Sequence, residues 1–355
     1  CLLTSQMLAW TAVMFVAQAA PPDPRFVGER WREMWLERME KTPPYIEAWL
    51  SHQRKDAYWK HGSVSEDYSA IDIPVYAVGG WADAYNNSIP LLLAVLSGPR
   101  KGIIGPWSHN FPETGVPGPA IGFLQESLRW WDKWLKGVDT GIMDEPMLRC
   151  WMPEAVKPAP FYANRPGRWV AESVWPSPNI GEQTYFLNGD GALGFDKLGQ
   201  QNTDTLSILG QQNHGLDGGE WGALGTPGEP PGDQRAADGQ SLAFTSAPLA
   251  ETVEILGYPE VDLALASDQP LALVSVRLCA VAPDGASTLV RWGVLNLTHR
   301  ESHEVPTPLQ PGRRYDVTVR VNVKATQLPA GHRWRVSVSP TNFRHAWPSP
   351  QPVTL

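Results

Sequence analysis

Two short apolar runs, separated by a helical pattern, constrain the fold of this chain most. The runs cover residues 73–79 and 101–105, and both end in glycine. A short and nearly continuous apolar run is typical of a parallel strand that is covered on both faces. Residues 89–96 predict a crossover helix, and residues 120–136 predict a second helix with Gly137 as its C-cap. The order strand, helix, strand, helix indicates part of an α/β sheet at residues 71–137.

Residues 1–70 have the pattern of several helices. Large apolar side chains recur at three- to five-residue steps, and Pro-Pro pairs at 21–22 and 43–44 divide the segment. The apolar stretch at residues 2–20 has the small-residue ending of a signal peptide, but it has no initiator methionine and no basic start. We therefore favour a helix there and expect that the polypeptide is truncated upstream. No unbroken apolar span predicts a transmembrane helix.

From about residue 145 the pattern changes to short strands. Residues 315–323 and 334–338 alternate apolar with polar side chains, and turn signals stand at 283–285, 311–312 and 329–331. This spacing predicts a β-sandwich or jelly roll. Residues 199–240 are rich in Gly, Gln, Asn, Pro and Asp and predict a long surface connection.

These patterns divide the 355 residues into a helical region at 1–70, an α/β region at 71–145 and a β-sandwich region at 146–355.

The net charge of −8 argues against nucleic acid and anionic membranes as main partners. Three cysteines (Cys1, Cys150 and Cys279) favour free thiols, although a bridge between the last two stays open. The oligomeric state is undetermined, and cytoplasm is slightly favoured over export.

The residues that point to chemistry follow the two predicted strands. The sequence is GGWAD at residues 79–83 and GPWSH at residues 105–109. Ligands in open α/β sheets bind at the carboxyl ends of the strands, and neighbouring strands lie about 4.8 Å apart. Asp83 and His109 are therefore expected to meet. A carboxylate on one imidazole nitrogen fixes the tautomer, so that the other nitrogen can take a proton from a hydroxyl.

Simpler roles exist for both residues, because Asp83 could cap the following helix and His109 could be an ordinary loop histidine. The order Asp then His at matching strand ends favours catalysis, since α/β-hydrolases carry Ser, Asp and His in that order. The serine should then lie upstream in Gly-x-Ser-x-Gly, which this sequence does not contain. Ser63 lacks the second glycine, and Ser108 lies on the same loop as His109.

Three other motifs are weaker. His299 and His303 have a spacing that would suit two metal ligands on a helix, but their surroundings predict strand and loop. The NGDG sequence at 188–191 predicts a hairpin turn rather than a calcium loop, which needs a later glutamate. Asn296 begins a glycosylation sequon, which has meaning only in a protein that a eukaryote secretes.

The motifs together resemble the cocaine esterase and X-prolyl dipeptidyl-peptidase family of serine hydrolases. The two strand-end motifs carry the resemblance in the first half, with residues 52–59 and 68–75 before them. In the second half it rests on residues 186–191, 242–249, 267–270, 276–285 and 329–333. The resemblance implies a partial α/β-hydrolase core with a helical cap, followed by a C-terminal jelly-roll β-sandwich.

The resemblance also implies a function, which is hydrolysis of a small-molecule ester, amide or peptide without a cofactor or metal. His109 would be the general base and then the general acid, Asp83 would orient it, and Trp81 and Trp107 are candidates for the pocket wall. The family's serine has no match, so we expect the chain alone to be inactive and poorly folded. The alternative is a secreted, non-catalytic binding protein that uses its jelly roll.

Overall fold

A computed structural model describes residues 7–196, 205–218, 231–343 and 345–355. The chain forms a helical region, a mixed α/β sheet and a larger β-sandwich, as the sequence predicts. Cys1 and the first five residues of the apolar stretch at 2–20 lie outside the described residues. Among the residues described, no helix has both the length and the apolar character needed to cross a membrane.

The described part of the N-terminal region has five α-helices, and the predicted proline pairs lie between the first and second and between the third and fourth of them. They are α1 (Leu8–Ala19), α2 (Pro24–Val27), α3 (Trp31–Lys41), α4 (Tyr45–Ser51) and α5 (Ala57–His61). Among their described side chains, Thr11 alone is buried. The apolar stripe that the sequence predicts here therefore contributes no enclosed core.

A four-stranded sheet follows, with its strands in the order β1, β2, β3, β4. The strands are β1 (Val75–Gly80), β2 (Arg100–Gly105), β3 (Leu148–Pro153) and β4 (Gly167–Glu172), with α6 (Ser88–Val95) crossing from β1 to β2. The first three are parallel and β4 is antiparallel. The two strands predicted from the apolar runs are thus neighbours. The sheet continues past residue 145, because β3 and β4 belong to it.

Helix α7 (Phe123–Lys136) begins three residues later than predicted and ends at Gly137, whose φ of 70° makes it a left-handed C-cap. The apolar residues of this helix recur at three- and four-residue steps, which predicts a buried face. That face is exposed instead, since Leu124, Leu128, Trp131 and Leu135 are 53–74% accessible. Trp130 is the buried residue of this helix instead. The amphipathic pattern is correct, but the described residues do not cover the apolar face.

The second half is a β-sandwich, as the alternating strands predict. One sheet has six strands in the order β11, β10, β14, β7, β6, β5, and it faces the pairs β12 with β9 and β13 with β8. The strands are β5 (Phe186–Leu187), β6 (Ala192–Gly194), β7 (Leu242–Ser246), β8 (Val253–Gly257), β9 (Glu260–Ala266), β10 (Leu273–Val281), β11 (Ser287–Asn296), β12 (Arg314–Arg320), β13 (Lys324–Leu328) and β14 (Arg333–Ser339). Their inward side chains form one core, which includes Val274, Val276, Val319 and Leu328.

The segment predicted as a surface connection at 199–240 is attached to the sandwich in the part that the structure describes, although most of its described residues are exposed or partly exposed. Residues 205–218 and 231–241 are attached to the sandwich, and α8 (Arg235–Asp238) lies within the second of these segments. His214, Gln234 and Asp238 are buried. Each of these buried polar side chains forms a hydrogen bond, which compensates for its removal from water. A polar composition alone does not distinguish such a segment from a solvated loop. The remaining residues of this prediction lie outside the described residues.

Candidate active site

Two turns leave the sheet side by side and carry the candidate residues. Strands β1 and β2 run parallel with Gly80 opposite Gly105, so their carboxyl ends coincide. The backbone N–H of Trp81 donates to the oxygen of Gly105 at 2.8 Å, and that of Ala82 donates to the oxygen of Trp107 at 2.9 Å. A Cβ atom at Gly80 would lie 1.9 Å from the Trp107 oxygen. Glycine is therefore needed for the two turns to meet.

Asp83 and His109 are in contact at this edge. The Nδ1 atom of His109 lies 2.9 Å from Oδ2 of Asp83, where the imidazole N–H donates to the carboxylate. The other oxygen, Oδ1, accepts from the backbone N–H of Tyr85 at 3.0 Å, and Asn86 Nδ2 donates to the Asp83 backbone oxygen. Both carboxylate oxygens of Asp83 thus accept a hydrogen bond, and a third hydrogen bond fixes the backbone of this residue.

The two side chains differ in exposure in the way that acid–base chemistry requires. The Asp83 side chain is 11% accessible and the His109 side chain is 47% accessible. Within the described parts of the chain, no hydrogen-bond partner reaches His109 Nε2. A buried carboxylate on Nδ1 and an accessible Nε2 form a unit that can accept a proton at Nε2 and stabilise the resulting imidazolium.

Trp81 and Trp107 are both buried, but in different surroundings. Their indole N–H groups donate to backbone oxygens, Trp81 to Trp151 at 2.6 Å and Trp107 to Pro119 at 2.8 Å. The Trp107 ring occupies the space beside Gly105 and Gly115, where any Cβ would collide with it. Of the two, Trp81 lines a cavity behind the turns. Trp107 packs against Gly105, Gly115 and the ring of Trp169 instead.

Arg291 supports the same turn from the β-sandwich, and the sequence did not reveal it. The side chain is 1% accessible on β11. Its Nη2 donates to the Trp81 oxygen at 2.7 Å, and its Nε donates to the Val323 oxygen at 2.9 Å. Burial lowers the pKa of Arg291, and the negative charge of Asp83 opposes that shift. The contact joins residues 210 positions apart, which no local pattern records.

The serines considered from the sequence are engaged elsewhere. Ser108 Oγ donates to the backbone oxygen of Val116 at 2.7 Å. Ser63 caps a short 3-10 helix by accepting from the N–H of Ser65. Among the described residues, neither hydroxyl contacts His109. The geometry therefore supplies an acid–base pair and does not identify a nucleophile.

The weaker motifs have local structural roles. His299 and His303 lie with their Nδ1 atoms 3.2 Å apart, and no third His, Cys, Asp or Glu joins them within the described ranges. Residues 188–191 form the predicted hairpin turn between β5 and β6. Asn296 accepts from both the backbone N–H and the hydroxyl of Thr298. Cys150 and Cys279 are free and buried.

Comparisons with known proteins agree with this architecture. Residues 140–355, more than half of the chain, match the X-Pro dipeptidyl-peptidase C-terminal non-catalytic domain, and residues 1–110 match the X-Pro dipeptidyl-peptidase (S15) family. A Mycobacterium bovis protein, whose name marks it as a candidate serine esterase, is 26% identical over 316 residues, 81% of this chain and 47% of its own length.

Two further relatives are similar. The cocaine esterase of Rhodococcus sp. is 23% identical over 330 residues, which cover 85% of this chain and 54% of the esterase. An aminopeptidase structure from a marine sediment Thaumarchaeota archaeon has the same fold, with a TM-score of 0.73, 17% identity and coverage of 90% of this chain and 59% of the other. This chain spans about half the length of the curated relatives. It belongs to the cocaine esterase and X-Pro dipeptidyl-peptidase (S15) family.

Proposed function

We propose that the chain carries the acid and base of a serine hydrolase triad, with Asp83 and His109 in those roles. The 2.9 Å contact between the carboxylate and Nδ1, at the carboxyl ends of adjacent parallel strands, is the observation that carries the proposal. The order of the two residues in the chain matches the triad order of α/β-hydrolases. No described contact favours the alternative of a non-catalytic binding protein.

The chemistry follows from the two ring nitrogens. His109 Nε2 removes the proton from a serine hydroxyl while the serine oxygen attacks the carbonyl carbon of the substrate. The resulting imidazolium, held by Asp83, then gives its proton to the leaving alcohol or amine. Water then attacks the acyl group on the serine while His109 Nε2 accepts the proton of that water. The imidazolium returns the proton to the serine oxygen, and the carboxylic acid is released. Trp81, beside the turn, is our candidate for a wall of the pocket, whereas the packing of Trp107 favours a structural role.

The nucleophile in this proposal comes from polypeptide outside the 355 residues. The sequence contains no Gly-x-Ser-x-Gly, the tight turn that exposes the serine in α/β-hydrolases. We therefore expect the chain alone to be inactive. The names of the relatives, a cocaine esterase and an aminopeptidase, support small esters or peptides as the substrate class.

Histidine NMR tests the acid–base pair without a need for turnover. In chain labelled with ¹⁵N-histidine, at a pH where the imidazole is neutral, His109 should be in the Nδ1–H tautomer, with a proton that is protected from exchange. Asp83→Ala should remove that protection, because the acceptor is lost. Asp72→Ala, an exposed aspartate just before β1, is the matched control and should leave the signal unchanged. An Nε2–H tautomer in the unaltered chain would refute the proposed pair.

Ester hydrolysis tests the nucleophile. Turnover of an aryl ester by the purified chain would contradict our assignment of the serine to other polypeptide. In a polypeptide that contains both this chain and the serine, Asp83→Asn should lower the turnover rate by about 10⁴ because the tautomer is wrong.

A further inference from the structure

A cavity lies between the α/β sheet and the β-sandwich, directly behind the two turns. Most of its wall is apolar, formed by Trp81, Val116, Pro117, Phe161, Leu289 and Val290. The cavity opens to solvent on one side. An apolar lining with a few polar groups is typical of sites for small organic molecules.

Two basic side chains line this apolar space. Lys324, at the start of β13, is 6% accessible, and its amine lies 5.5 Å from the centroid of the Trp81 ring. The structure gives this amine no hydrogen bond or ion pair with any residue that it describes. Arg165 lies on the loop before β4, and its Nε is buried with no hydrogen-bond partner among those residues. Its Nη2 donates to the Glu154 backbone oxygen at 3.1 Å.

The described residues that line the cavity include basic side chains and no carboxylate. Burial lowers the pKa of Lys324 well below its usual range, and the charges of Arg291 and Arg165 lower it further. No described carboxylate opposes that shift. The other titratable group on the wall, Tyr162, carries no negative charge near neutral pH, because burial raises its pKa. Arg291 already donates to two backbone oxygens, so Lys324 and Arg165 are the groups left to meet a ligand.

We propose that this cavity binds a small organic carboxylate with an apolar body, whose carboxylate pairs with Lys324 and with Arg165 Nε. Burial without a carboxylate nearby disfavours the charged form of the Lys324 amine, and an anion in the same cavity would favour that form again. The apolar wall then covers the rest of the ligand. The walls are too apolar, and the donors too few, for a dianion such as phosphate. The cavity shares Trp81 with the pocket wall of the proposed hydrolase, but the carboxylate proposal does not depend on hydrolysis, because binding is measured without turnover.

Proton uptake gives the proposal a specific signature. Burial lowers the pKa of Lys324, and a carboxylate beside the amine would raise that pKa again, so binding should take up a measurable number of protons. Isothermal titration calorimetry with phenylacetate, in two buffers of different ionisation enthalpy, measures this number. The uncharged analogue phenylacetamide has nearly the same shape and should bind at least about tenfold more weakly, which corresponds to about 1.4 kcal/mol.

Variants assign the effect to the lysine. Lys324→Met should weaken phenylacetate binding at least tenfold and remove the proton uptake. It should also fold, because an apolar side chain of similar length suits the cavity. Lys136→Met, at an exposed lysine of α7, is the matched control and should bind as the unaltered chain does. Equal binding of acid and amide, binding without proton uptake, unchanged binding by Lys324→Met, or no binding of phenylacetate at millimolar concentration would each overturn the proposal.

Discussion

The buried imidazole of His214 makes the stability of the sandwich sensitive to acid. The residue is fully buried, and its Nε2 lies 3.0 Å from the hydroxyl of Ser241. Burial, together with the positive charge of Arg277, lowers the pKa of His214 to about 4. The native imidazole therefore stays neutral between pH 6.5 and 4, whereas the unfolded chain binds a proton there. Stability from this group is complete above pH 6.5 and is lost as the pH falls through that window.

We expect His214 to account for about 3 kcal/mol of the free energy of unfolding that is lost between pH 6.5 and 4. His214→Gln, which cannot bind that proton, should lose correspondingly less over the same interval. Urea unfolding at several pH values measures the difference. His61→Gln, at an exposed histidine at the end of α5, should keep the pH dependence of the unaltered chain. Equal pH dependence in His214→Gln would contradict the assignment.

At the scale of residues, the sequence predicted that Asp83 and His109 meet but not the groups that lie behind them. Asp83 and His109 stand at the ends of two recognisable strands, so the geometry of a parallel sheet brings them together. Arg291 and Lys324 are the one charged residue in β11 and in β13, respectively, and no pattern in those strand sequences marks a site. Their roles depend on contacts between the sandwich and the turn at Trp81, which only the folded chain shows.

Among the elements, the short helix α8 and its flanks depend on one buried carboxylate. Asp238 accepts hydrogen bonds from Ser287 and Ser337 at 2.7 and 2.9 Å. It also pairs with Arg277 and Arg335, each at 3.0 Å. The side chains of Asp238 and Arg277 are only 3% and 4% accessible. These contacts fix residues 231–241 against β10, β11 and β14.

Asp238→Ala should therefore lower the free energy of unfolding by about 3–5 kcal/mol, because it leaves the Arg277 guanidinium buried without its carboxylate. Chemical denaturation at neutral pH measures the change. Glu260→Ala provides a surface control, since Glu260 pairs with Arg320 where both are well exposed, and it should cost no more than about 1 kcal/mol. A loss of similar size in both variants would show that the Asp238 network adds nothing beyond a surface pair.

Element types followed from the sequence where periodicity was clear, as in α7 and in β12. Their environments did not. The face of α7 that carries Leu128 and Trp131 has the spacing of a buried stripe, yet it is exposed in the part of the chain that the structure describes. Periodicity identifies an apolar face, and whether another element covers it is a property of the tertiary structure.

At the scale of the whole molecule, the α/β sheet and the β-sandwich share a core. Val323, just before β13, and Ala325, within it, are buried with Trp81 and Trp151 in one cluster. The sequence suggested a division at residue 145 because the pattern of elements changes there. A change of pattern does not locate a boundary in space, since strand pairing carries β3 and β4 back into the first sheet.

Asn87 provides a direct test of this coupling, because it connects the two parts through polar contacts. It lies between β1 and α6, and its side chain accepts from the Val323 N–H at 2.9 Å and donates to Asn322 Oδ1 at 2.7 Å. Its backbone oxygen accepts from the hydroxyl of Tyr258 at 2.8 Å. Asn87→Ala leaves the Val323 N–H without its acceptor, which should cost about 1–3 kcal/mol.

If the two parts unfold as one unit, Asn87→Ala should lower the free energy of hydrogen exchange by the same amount in β2 and in β10, although neither strand contains the substitution. Exchange measured by mass spectrometry on peptides from the two strands gives both values. Asn179→Ala, which removes an exposed contact to Glu172, should leave both nearly unchanged. A loss of protection confined to β2 would mean that the sheet opens while the sandwich stays folded. The contact of Arg291 with the turn that carries Asp83 would then be broken in that open state, so the acid–base pair would lose its support before the sandwich did.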